Sequence, residues 1–154
     1  MRIKFASQKG AALVEFAFVL PILLILVFGI IEFGFLLYNK AVITNASREG
    51  AREGILFAPR TSTTLVSDIE GRVTNYSDNW MIPKTVDPTT AVSGTCKDEA
   101  NYEDRAGKQL TVNVSYLYPF IVFPNIIKLV GGNMDSLLTN GSLDISAQTS
   151  MRCE

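Results

Sequence analysis

The sequence predicts an α+β protein: a long N-terminal helix that crosses a membrane, then a small head built from a short helix and an antiparallel β-sheet of about three strands. Three observations carry this reading. Residues 9–38 form one apolar stretch, with no charged or strongly polar side chain from Phe16 to Ile31. Leu65, Ile69, Val73 and Tyr76 then recur at the spacing of an amphipathic helix. Residues 110–118 and 142–152 alternate apolar and polar, the period of a half-buried strand.

The first element is a membrane span by length. A helix rises about 1.5 Å per residue and the hydrocarbon core is about 30 Å thick, so about 20 apolar residues cross it. The uncharged run has about 16 residues, and about 28 if Glu15 and Glu32 are accepted near its ends. A buried core helix is the rival, but core helices are usually amphipathic and this one is apolar all round. A cleaved secretory signal is a second rival. Against it, the run is long for a signal core, and the bulky Phe33, Phe35, Leu36, Leu37 and Tyr38 offer no small-residue cleavage site. Arg2, Lys4 and Lys9 precede the run with no acid among them, which keeps the N-terminus in the cytoplasm and sends the head outward.

Glu15 is the anomaly. A carboxylate amid apolar neighbours is costly in a bilayer unless it is paired, or sits at the interface and snorkels. A partner would arise if cleavage after Gly10 freed the α-amine of Ala11, four residues upstream and about one helical turn away. The two charges would then offset each other's desolvation, within one chain or between neighbouring subunits.

The residues around this acid, KGAALVEF, resemble the type IV prepilin processing site: a basic leader, a glycine before the cut, Glu15 at the fifth mature position and Phe16 after it. More narrowly, residues 9–57 are similar to the TadE-like family, the pseudopilins or minor pilins of the tight-adherence (Flp) pilus. The EF pair, Pro21, the Gly-x-x-Glu-Phe-Gly of residues 29–34 and the Asn-Ala-x-Arg-Glu-Gly-Ala-Arg string occur together and in order. The resemblance implies an inner-membrane prepilin peptidase that cuts between Gly10 and Ala11. It also implies pairing of Glu15 with a freed amine, and packing of Phe16 and its neighbours against other pilin subunits at an assembly platform. A looser likeness covers the C-terminal residues 143–154. On this reading residues 1–10 are a leader, 11–57 a helix spanning the membrane at about 16–38, and 58–154 the exported head.

Pro21 removes one backbone hydrogen bond and is expected to kink the helix. Past Tyr38 the sequence turns mixed. Val42, Ile43, Ala46, Gly50 and Gly54 share one side, and the small residues invite close approach, expected here from the chain's own sheet. Arg48, Glu49, Arg52 and Glu53 line much of the other side, where Glu49 and Arg52 can pair. Pro59 is expected to stop the helix. A second helix follows over about 62–77. Residues 85–95 read as an irregular edge strand, and 97–107 as a charged loop. Residues 119–130 are nearly all apolar but broken by Pro119 and Pro124. They are either a loop on the core or an exposed patch facing lipid or another subunit.

Cys96 and Cys153 are the two cysteines, and both fall in the exported part. They are either free buried thiols or a disulfide, and the oxidising compartment favours the bridge. Two cysteines without histidine make a poor zinc site.

The sequence has no histidine, so the commonest metal ligand and general base is missing. Phosphate-binding and nucleophile-elbow motifs are also missing. From residue 58 onward, 8 basic and 11 acidic residues leave no positive field for nucleic acid. No cofactor or metal is called for. A membrane-anchored binding or sensor module that keeps its leader has the same topology and is the main alternative.

Overall fold

The computed structural model describes residues 8–56, 62–94, 96, 107–121 and 142–153. It contains α1 (Gln8–Ile55), α2 (Ser62–Trp80), β1 (Thr89–Gly94), β2 (Gln109–Pro119) and β3 (Ser142–Arg152). The strands form one antiparallel sheet in the order β1-β2-β3. The fold is therefore α+β, with a long apolar helix, a short helix and three antiparallel strands. Pro59, the charged loop up to residue 106 and the apolar residues 122–130 lie outside the described residues.

Helix α1 has 48 residues, about 72 Å at helical rise. It divides by what touches it. From Gly10 to Ile31 no residue is buried. From Glu32 onward a buried stripe begins, at Glu32, Asn39, Val42, Ile43, Ala46, Gly50 and Gly54. Those intervals of seven, three and four keep one face toward the head. Pro21 lies inside α1, and the helix continues on both sides of it. The head thus reaches back into the stretch that hydropathy alone assigned to the span.

The small residues of the stripe form a notch, and α2 fills most of it. A Cβ added at Gly50 would lie 2.7 Å from a Val73 methyl, and one at Gly54 2.8 Å from Ile69 and 2.2 Å from Leu110 of β2. The expectation of docking on the sheet holds for Gly54, but α2 takes the notch at Gly50. The apolar face of α2 is the one its spacing gave, with Leu65, Ile69 and Val73 buried and Tyr76 half-buried. Glu49 meets Arg72 of α2 at 3.8 Å, and Glu53 meets the same guanidinium at 3.5 Å. These pairs are half-exposed, and such pairs contribute about 0–1 kcal/mol each.

The inner face of β2 is Leu110, Val112, Val114, Tyr116 and Tyr118, all buried. Ile145 and Ala147 of β3 continue it, with Thr149 and Met151 half-buried. The hydroxyl of Ser47 on α1 lies 2.7 Å from that of Thr149, which locks the helix to the sheet. Leu110 meets Gly54 and Tyr118 meets Glu32, so β2 runs alongside α1 in the opposite direction. Strand β1 is a short edge. Gly94 closes it with φ of 122°, and a Cβ there would sit 2.2 Å from the Gln109 carbonyl oxygen. Only glycine fits both demands.

Cys96 and Cys153 form a disulfide, with Cα atoms 5.7 Å apart. Both are buried, and the Cys153 amide donates to the Lys108 carbonyl at 2.9 Å. The bridge ties the chain after β1 to the end of β3, at the end of the sheet farthest from the apolar rod.

Two outcomes follow for thermal or urea unfolding of the intact protein in detergent. Gly54→Ala lowers stability by about 1–3 kcal/mol through overpacking, whereas Gly71→Ala, where a Cβ meets nothing within 4 Å, raises it by up to about 1 kcal/mol. Cys96→Ser with Cys153→Ser lowers it by about 2–5 kcal/mol, and adding reductant to the double variant changes nothing further.

Candidate functional site: the two acids of the long helix

The expected site residues lie at the free end of α1. Gly10, Ala11, Glu15 and Phe16 fall in its first turns, because the helix begins at Gln8. Ala11 and Glu15 are four apart, so they share a side and differ by about 6 Å along the axis. Among the described residues Glu15 has no partner, and it is exposed. Phe16, Phe18 and Leu23 are more than half exposed, and Leu24 nearly so. A Cβ at Gly10 would meet nothing within 4 Å. No packing among the described residues therefore demands glycine there, although glycine costs a helix about 1 kcal/mol. The disulfide, also singled out from sequence, is at the other end of the molecule and joins no shared site with these residues.

The second acid behaves differently. Glu32 is 2% exposed, and its Oε1 accepts from the Tyr118 hydroxyl at 3.0 Å and the Ile121 amide at 2.8 Å. Phe120 packs edge-on to Tyr118, with ring centroids 5.6 Å apart. Seven residues later, about two helical turns, the fully buried Asn39 grips the backbone of Ile82. Its Oδ1 accepts the Ile82 amide at 3.1 Å, and its Nδ2 donates to the Ile82 carbonyl and to Phe35 O. The Tyr116 hydroxyl donates to the neighbouring Pro83 carbonyl at 2.7 Å. Glu32 and Asn39 thus fasten the base of the head to the rod.

Burial first, and then the Glu32 carboxylate, push the Tyr118 hydroxyl above its ordinary range. Outside this junction, Lys84 bridges Asp78 and Asp87 on the head surface. The Asp78 hydrogen bond, then that of Asp87, holds the Lys84 ammonium above its usual range.

Sequence reasoning gave neither Glu32 nor Asn39 a site role, although Glu32 is the acid of the 29–34 motif. Glu32 read as a tolerated end of the span and Asn39 as one of several mixed residues. The signal available was their spacing: both continue the seven, four and three intervals of the buried stripe. Among the described residues no group of three His, Cys, Asp or Glu side chains converges on a point where a metal ion could sit.

The family comparison addresses the rod. Residues 10–52 match the model of the TadE-like protein family. The match begins at Gly10, contains both acids and Asn39, and stops before the end of α1. It agrees with the resemblance drawn from the motifs there and does not extend to the C-terminal strand. The TadE-like family is a pilin-like structural family associated with the tight-adherence pilus. No curated protein and no solved structure matches the chain.

Tyr118→Phe is expected to cost about 1–2 kcal/mol, and Glu32→Leu about 1–3 kcal/mol, because each strands a buried polar group. The pH dependence has a definite sign. The folded state holds the Tyr118 proton more tightly than the unfolded chain does. That stabilisation is complete below the ordinary tyrosine range near pH ~10 and is lost as pH rises through the higher folded value. Urea midpoints at neutral and strongly alkaline pH should therefore fall more steeply for the wild type than for Tyr118→Phe.

Proposed function

We propose that this chain is a minor pilin or pseudopilin of a tight-adherence-type pilus, a structural subunit with no catalytic role. A prepilin peptidase removes residues 1–10 by cutting between Gly10 and Ala11. The subunit waits in the inner membrane with its N-terminus in the cytoplasm and its head outside. It then packs its helix beside other pilin and minor pilin subunits at the inner-membrane assembly platform, and in an assembled pilus it lies outside the cell. Nucleic acid has no part in this.

The observation that carries the proposal is the bare first half of α1. None of residues 10–31 is buried, yet they include an acid and a glycine that packing among the described residues does not explain. The family match supports the same context, since it begins at that glycine. A freed Ala11 amine gives Glu15 a positive partner, which it lacks among the described residues, in its own chain or a neighbour's. Pro21 withholds one backbone N–H and gives the rod a place to bend as it packs.

Intact-mass analysis of protein from native cells should find Ala11 at the N-terminus, and Met1 when the peptidase is deleted. A mature chain still carrying residues 1–10 overturns the proposal in favour of an uncleaved anchor. Glu15→Leu should insert into the membrane normally but lose incorporation into pili by at least about a hundredfold, the scale of one unpaired buried charge at about 3 kcal/mol or more. Normal incorporation of that variant removes the charge pairing.

A further inference from the structure

We propose that the base of the head is not held clear of the membrane. On its Ile82 side it lies in the outer interfacial layer of the bilayer, and a lipid acyl chain occupies the groove between Ile82 and α1. This rests on the membrane-span reading above and adds to it the depth at which the head sits.

The length of the rod gives the first argument. If the span ended where the head begins, the uncharged run would be Phe16 to Ile31, about 24 Å of helix against a hydrocarbon thickness of about 30 Å. Making up the difference at the other end draws the exposed Glu15 into lipid. Making it up at the head end takes about four more residues, which brings in Glu32 with its carboxylate already hydrogen-bonded. The lipid-facing side of α1 fits this. Phe33, Leu37 and Tyr38 are 65%, 61% and 40% exposed, and apolar surface continues alongside the head to Tyr38.

The backbone at the base gives the second. Irregular chain is tolerated at membrane depth only where its N–H and C=O groups find partners in the protein. Here they do. The amide and carbonyl of Ile82 both bond to the Asn39 side chain, the Pro83 carbonyl takes the Tyr116 hydroxyl, and the Ile121 amide goes to Glu32. The side chains carried on this satisfied backbone point the other way in polarity: Ile82 is 51% exposed and Ile121 43%.

The groove gives the third. Ile31, Gly34, Phe35, Tyr38 and Ile82 line an open hollow of about 470 Å³, almost wholly apolar and continuous with the bare helix. A surface continuous with the span meets the same solvent as the span. Tyr38, one of the lining residues, is of the type that favours the headgroup level. Charge marks where immersion stops: the Asp78–Lys84–Asp87 cluster on the loop side, and exposed Asp144, opposite Leu117, on the sheet side.

Trp80 is the chain's one tryptophan, so the depth can be read by fluorescence. In a Trp80→Phe background, Ile82→Trp and, separately, Ile121→Trp replace exposed side chains. Leu56→Trp, at the far end of α1, reports the water-facing end. The full-length variants are reconstituted in phosphatidylcholine–phosphatidylglycerol vesicles with brominated acyl chains. At positions 82 and 121 the emission should be blue-shifted and quenched by the lipid at least about twofold more than at position 56, with aqueous iodide showing the reverse order. Protein that floats with the vesicles but shows iodide-accessible, unquenched emission at 82 and 121 overturns the immersion while leaving the span intact. Emission shielded from both quenchers and dependent on the protein-to-lipid ratio assigns the groove to a second copy and also overturns it. Failure to float overturns the span reading, and the immersion with it.

Discussion

Where water is absent, every backbone N–H and C=O must find its partner inside the protein, and this constraint organises the molecule. A single helix meets it for residues 10–31 with no help from the described rest of the chain, save at Ala17, whose carbonyl Pro21 leaves without its usual donor. Below that point the head must attach to the same helix without leaving polar groups stranded. Glu32 and Asn39 solve this by offering side-chain acceptors and donors to loop backbone that no strand or helix partner serves. The result is one element with two duties, a bare rod at one end and one wall of a folded core at the other.

The glycines divide along the same line. Gly50 and Gly54 are required by packing, because α2 and Leu110 occupy the space a side chain would need. Gly10, Gly29 and Gly34 are surrounded by open space. A fold that needs close approach within itself explains the first pair. The second group, like Gly71 of α2, leaves its helix-propensity cost of about 1 kcal/mol each without a return from packing among the described residues.

Much of this was legible in the sequence. The long apolar helix followed from hydropathy; α2 followed from Leu65, Ile69 and Val73, and β2 from the alternation of Leu110 through Tyr118, because these two elements bury one face and their period records it. The Cys96–Cys153 bridge followed from count and compartment. The junction did not, because Glu32 and Asn39 are polar residues buried by long-range partners 86 and 43 positions away, and no local pattern encodes such partners. The partner of Glu49 was misjudged for the same reason: the nearby Arg52 was available in sequence, while Arg72 is delivered by the packing of α2. Glu15 is the converse case. Its oddity is visible in sequence, and nothing among the described residues relieves it.

Because α1 is unbroken from Gln8 to Ile55, the compass bearing of the head is written into residue count. Each residue of an α-helix turns the axis by about 100° and advances it about 1.5 Å. One residue inserted between Ile31 and Glu32 would swing the whole head roughly a quarter turn around the rod while lifting it hardly at all, and four would nearly restore its heading one turn higher. The distance from Glu15 to Glu32 therefore acts as a phase, fixing which flank of the head a neighbour would face once their rods lie side by side.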